Sequence, residues 1–173
     1  MYRVCATNSY GEKAVAVPFA SALHGYIVGI IYRALFAFVD ARQLGEVFGD
    51  GVGYLLSRNP DTVRGPGVSF ISDNHVPKGE IPDSVWPVAP DLAVEIVSTN
   101  DRATEINDKV QQYLAASVPL VWVVWPKTRT VTIYTPDESP RDLTTTDTID
   151  GMDMLPGFSL PVAELFTIKR KRM

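Results

Sequence analysis

From Ser21 to about Arg42, apolar residues return at helical spacing: Leu23, Tyr26 and Ile27, Ile30, Ala34 and Phe38. Val28, Ile31, Leu35 and Phe36 widen that stripe nearly all the way round, so the helix must be covered on more than one side. A core helix meets this condition, and so does a helix that joins a second subunit along its surplus face. Short strand-like runs follow at Glu46-Val47-Phe48, Val52 to Ser57 and Val68 to Ser72. They are separated by Gly49-Asp50-Gly51 and by a turn-rich stretch from Asn59 to Gly67. Residues 73–90 hold four prolines and no periodicity, which predicts a connecting loop.

The pattern is most regular between Pro90 and Pro126. In Leu92-Ala93-Val94-Glu95-Ile96-Val97 a strand sends Leu92, Val94 and Ile96 to one face; Asp91, Ala93, Glu95 and Val97 go to the other. A helix with Asp101 as its N-cap follows, its apolar face made of Ile106, Val110, Tyr113 and Leu114. It ends near Ser117, because Val118-Pro119 forces an extended path. Leu120 to Trp125 reads as a fully buried strand, and Arg129 to Thr135 as its hairpin partner. Residues 136–150 are polar and turn-rich, Pro156 to Phe166 form a compact closing segment, and Lys169 to Arg172 a solvated basic tail. At the other end, Ala14 to Val17 fit one short edge strand. The order predicts an α/β fold, a mixed sheet flanked by helices, with residues 91–125 as a right-handed crossover between parallel strands.

A chain of 173 residues fits one domain, and 46% apolar with 21% charged residues is ordinary globular composition. The single cysteine, Cys5, excludes an internal disulfide and a cysteine-based zinc site, as expected in a reducing compartment. His24 and His75 have no metal-ligand spacing. A net charge of −4 gives no global attraction to nucleic acid. The Leu23–Val39 stretch contains Arg33 and falls short of the ~20 uncharged residues of a membrane span. Met1 to Tyr10 lacks the apolar core of a signal peptide, so a cytoplasmic protein is expected.

Glu95 is the residue that changes this picture. A glutamate in mid-strand among apolar neighbours needs a cation to compensate its charge, either a metal ion or Lys109. Lys109 lies between Ile106 and Tyr113 in helical spacing, at the rim of the core-facing stripe. There its stem rests on apolar surface while the amine reaches the end of the sheet. A structural ion pair, or a surface pair of Lys109 with Glu105, accounts for the same spacing. Asp91 shares Glu95's strand face but lies about 13 Å away, too far to share an ion; it is placed to accept backbone donors at the strand entrance.

The run Pro90-Asp91-Leu92-Ala93-Val94-Glu95-Ile96-Val97-Ser98, with Asp108-Lys109, Tyr113, Val118-Pro119, Trp122 and Pro126, resembles the bacterial putative restriction endonuclease domain family of the PD-(D/E)XK nuclease-like superfamily. The likeness extends over about residues 11–166, including the His24 helix, Val63 to Ser72 and Pro156 to Pro161. It implies a restriction-endonuclease-like sheet and a magnesium- or manganese-dependent phosphodiesterase acting on DNA. Glu95 matches the metal-binding glutamate, and Lys109 the catalytic lysine displaced onto the following helix. The family's earlier strand opens with Pro-Asp, whereas this chain has Pro66-Gly67. Asp73 cannot stand in, since six strand residues span about 20 Å. Trp125 also occupies a position where the family often has aspartate, and His24 aligns with a histidine often present at the start of the family's first helix; without a partner in sequence it reads as a capping or packing residue. Two functions therefore remain: a metal-dependent endonuclease with weakened ion binding, or an inactive binding or assembly module, dimeric through the 23–39 helix.

Overall fold

The computed structural model describes residues 20–76, 81–99 and 101–168. Helix α1 (Ala22–Asp40) leads into β1 (Gly45–Phe48), β2 (Tyr54–Ser57), β3 (Thr62–Arg64) and β4 (Val68–Ser72). Next come β5 (Leu92–Ile96), helix α2 (Ala103–Ala115), β6 (Leu120–Trp125) and β7 (Thr130–Tyr134). The chain closes with β8 (Arg141–Leu143), β9 (Thr148–Gly151), β10 (Leu155–Pro161) and a 3-10 helix, Val162–Phe166. Six strands form one mixed sheet in the order β1-β4-β5-β6-β7-β8. Only β5 and β6 are parallel, as a crossover through α2 requires. The β2–β3 and β9–β10 pairs are separate ribbons. The mixed α/β sheet flanked by helices is thus the observed architecture.

Strand alternation decides what each helix covers. Leu92, Val94 and Ile96 face α1 and pack with Ile27, Ile30, Ile31 and Leu35. Ala93 faces the other way and packs with Ile106, Val110 and Tyr113 of α2. Both faces of β5 and β6 are therefore dry, which explains their near-continuous apolar runs. Ser21 caps α1, its Oγ accepting the His24 backbone N–H at 3.1 Å.

By length and composition α1 would suffice to cross a membrane, yet Ile27, Ile30, Ile31, Leu35 and Val39 are spent on the sheet. The closing 3-10 helix flanks it, and the Tyr26 hydroxyl donates to the Thr167 carbonyl at 2.9 Å. The surplus apolar face is thus divided between sheet and 3-10 helix, with Leu23 and Phe36 left exposed.

Four expectations are corrected. The Val52–Ser57 run begins as a strand only at Tyr54. The N-cap of α2 is Arg102, whose backbone N–H donates to Glu105 at 3.3 Å. Asp101 instead closes the preceding turn, accepting the Ser98 N–H at 2.7 Å. Residues 136–150 and the segment after them hold β8, β9 and β10: β8 buries only Leu143 and β9 only Ile149 and Gly151, too few to show a period, and a register shift between Leu155 and Ser159 breaks the period of β10. The connecting loop also carries a core anchor, because Trp86 is buried and bridges to Tyr54. The edge strand expected at 14–17 and the basic tail lie outside the described residues.

Candidate active site

Glu95 is 5% exposed near the C-terminal end of β5, on the α2 face. An ionised carboxylate at that depth must find donors within the protein. Two arrive from α2. Lys109 and Tyr113 are four residues apart, hence stacked on one helix face. Lys109 Nζ donates to Oε2 at 2.9 Å, and the Tyr113 hydroxyl donates to Oε1 at 2.8 Å. Each carboxylate oxygen keeps a further lone pair. The predicted convergence of Glu95 and Lys109 is realised as a direct ion pair, and the alternative Lys109–Glu105 surface pair does not form. Tyr113, which the sequence placed only in the core-facing stripe, is the third member. Its four-residue offset from Lys109 was the available signal.

Lys109 is the exposed end of the group: its side chain is 32% accessible, against 7% for Glu95. It lines a cleft of about 370 Å³ at the carboxyl end of β5, with Gly67, Ile96, Ser98 and Asp101. Asp50 from the β1–β2 turn and His24 from the first turn of α1 complete the wall. The crevice outside strand C-termini is where α/β sheets place ligands. His24 is thus more than a packing residue. Ser21 does the capping, while the His24 ring lines the cleft, its Nδ1 buried without a partner among the described residues.

Gly67 also reaches this cleft, but not in the geometry that strand register suggests. Val68 pairs with Val94, which would set Gly67 opposite Glu95 on the α2 face. Instead the Gly67 N–H donates to the Val94 carbonyl at 2.9 Å, one residue short of that register. A Cβ built here points to the α1 side, 2.7 Å from Ile96 Cδ1 and 3.6 Å from Val28 Cγ2.

At the opposite end of β5, Asp91 accepts the Ser72 N–H at 2.7 Å and meets His75 Nδ1 at 3.0 Å, in the structural role expected of it. Trp125 donates through Nε1 to Thr132 Oγ1 at 3.0 Å, which passes a hydrogen bond to Asp142 at 2.7 Å. Among the described residues no three His, Cys, Asp or Glu side chains form a metal-holding group.

Over residues 10–163 the chain matches the family described as Uma2, putative restriction endonuclease. The chain belongs to this family. A solved structure titled a putative nuclease belonging to DUF820, from Anabaena variabilis ATCC 29413, shares the fold with a TM-score of 0.77 at 17% identity. The match covers 91% of this chain and 87% of that one. No curated protein matches the sequence. In this Uma2 chain Lys109 links the buried Glu95–Tyr113 pair to the β5 crevice, and position 67 in the crevice wall carries no side chain.

Burial and the adjacent Glu95 charge raise the Tyr113 pKa far above that of free tyrosine, and burial pushes Tyr54 up to about 12 from 10.0. In both, the folded state favours the neutral phenol. Their stabilisation is complete below pH 10 and declines as pH rises, through about 12 for Tyr54 and beyond for Tyr113. Of seven tyrosines, these two should form tyrosinate only as the protein unfolds. Ultraviolet absorbance and circular dichroism followed through an alkaline titration check this. A full tyrosinate signal from a still-folded protein would refute it.

Proposed function

We propose that this chain is a nuclease-like protein of the PD-(D/E)XK type, directed at nucleic-acid phosphodiesters, whose metal site is incomplete. The observation that carries the reading is the Lys109–Glu95 contact of 2.9 Å at a crevice-facing strand end. Membership of the Uma2 family and the shared fold with a solved protein titled putative nuclease support it. DNA as substrate and a cytoplasmic setting follow from the family analogy and from composition.

Mg²⁺ or Mn²⁺, when bound, would supply Lewis-acid activation of water and phosphoryl oxygen. Glu95 would be its ligand by the family analogy, and although Asp50 and Asp101 line the same cleft, no three such side chains among the described residues form a metal-holding group. The residues therefore do not fit a resident ion. What they do by themselves is clearer. Tyr113 and Lys109 orient Glu95 by hydrogen bonds to both carboxylate oxygens, while Lys109 presents an ammonium to the cleft, where it offsets the charge of an incoming phosphate.

Gly67 favours a second reading, an inactive binding or assembly module. The exposed Leu23 and Phe36 on α1 offer such a module a surface for self-association. Plasmid nicking with Mg²⁺ or Mn²⁺ separates the two. Wild type is expected to nick weakly or not at all, and Glu95→Ala to abolish whatever remains. Strong wild-type cleavage lost in Glu95→Ala would mean that another group completes the site. Cleavage that survives Glu95→Ala would reject this site altogether.

A further inference from the structure

We propose that Arg64 is a phosphate-holding residue of this site, its guanidinium taking a non-bridging oxygen of a nucleic-acid phosphodiester beside Lys109. The inference deepens the nuclease-like reading and rests on it for the identity of the anion. The placement begins in the β2–β3 ribbon, where Tyr54 and Arg64 are direct partners. Directly paired residues share a face. Tyr54 leans on the α2 side of the main sheet, its hydroxyl 2.6 Å from Ser69 Oγ, and Ser69 is paired with Ala93 on that side. Arg64 is thereby carried to α2, where its Nε donates to Gln112 Oε1 at 2.6 Å. Gln112 lies three residues beyond Lys109 and immediately before Tyr113.

Two features separate this bond from ordinary packing. First, it fixes the guanidinium through Nε alone, which leaves both terminal amino groups to donate in the planar fork that suits phosphate. Second, the anchor is neutral. Ion pairs among the described residues join Arg58 to Asp61, His75 to Asp91, Lys109 to Glu95 and Arg141 to Asp150, and Arg64 takes part in none. A half-buried guanidinium that no carboxylate pairs keeps its charge available to an incoming anion. Its field already reaches the Tyr113 hydroxyl, opposing the rise of that pKa. Two cations, Arg64 and Lys109, flank the Glu95–Tyr113 pair, while Asp50 and Asp101 also line the Lys109 cleft. Arg64 is the cation of this group that no described carboxylate pairs, and is therefore the one suited to a phosphate.

Gln112→Glu provides the discriminating variant. It supplies Arg64 with a carboxylate at the position of its present acceptor, so the ribbon stays docked on α2 while the free charge is cancelled. The measurement is binding of a short single-stranded oligonucleotide to the full chain without metal, by fluorescence anisotropy, with the Arg64 Nε–H resonance followed by NMR. Wild type is expected to bind with that resonance displaced. Arg64→Gln and Gln112→Glu should each weaken binding about tenfold and reduce the salt slope by about one phosphate contact. Arg64→Lys should recover part of the loss. Binding within twofold of wild type in both Arg64→Gln and Gln112→Glu, each folded by circular dichroism, overturns the proposal; so does a wild type that does not bind, or an Arg64 resonance that does not move. Cleavage is read separately. A displaced Arg64 resonance, with wild type and Gly67→Asp both inert in Mg²⁺ and Mn²⁺, supports the phosphate site and rejects the nuclease reading, whereas cleavage with an unmoved resonance does the reverse.

Discussion

Gly67→Asp is expected to raise Mg²⁺-dependent plasmid nicking by at least about tenfold over wild type, provided its side chain turns from the α1 side into the cleft that Lys109 lines and so adds a carboxylate near Glu95. The geometry adds a condition. The new Cβ would stand 2.7 Å from Ile96 Cδ1, so the isoleucine must turn away. Overpacking of this kind costs about 1–3 kcal/mol, less when the obstructing atom ends a side chain. Ile96→Val removes that methyl, and the Gly67→Asp/Ile96→Val pair should regain stability while keeping the gain in nicking. Gly67→Asn, similar in shape but uncharged, should show no gain, and Gly67→Asp/Glu95→Ala should be silent. A folded Gly67→Asp/Ile96→Val protein that binds Mg²⁺ no better than wild type would favour the binding-module reading.

The second large effect concerns stability. Lys109→Leu should cost about 2–3 kcal/mol in urea unfolding at neutral pH, since it leaves the Glu95 carboxylate buried with Tyr113 as its sole remaining donor. The loss is placed below the usual range for broken buried pairs because Lys109 is one-third exposed, so water reaches the vacated position. Glu95→Leu/Lys109→Leu removes both charges and should lie within about 1 kcal/mol of wild type. Equal losses in the single and double variants would mean that the pair matters for its packing and not for its charge. Activity and stability thus make opposite demands on Glu95, which a purely structural strand position would fill with valine.

Much of this arrangement follows from local pattern. Leu92, Val94 and Ile96 alternate against Ala93 and Glu95, and period two alone dictates that Glu95 leaves the α1 core for the other face. Lys109 and Tyr113 lie on one helix face by their spacing, and a buried carboxylate needs donors, so the Glu95–Lys109 contact could be reasoned without coordinates. The parallel β5–β6 pair likewise follows from the length of the α2 crossover. Other features depend on contacts between segments remote in sequence, to which no periodicity applies. Arg64 and Gln112 are 48 residues apart and meet only because Tyr54 docks the β2–β3 ribbon at Ser69. Trp86 is core although its flanking residues read as loop, since one aromatic anchor leaves no repeat. The direction of position 67 turns on which carbonyl its N–H selects at the end of a ladder, a one-residue shift that no periodicity encodes. By itself the sequence determined the faces of β5 and α2, and with them the carboxylate–lysine pair. Tertiary structure alone decided what surrounds that pair, because the cleft walls come from α1, the β1–β2 turn and the approach to β4, which share no local pattern and are brought together by the burial of the sheet between its helices.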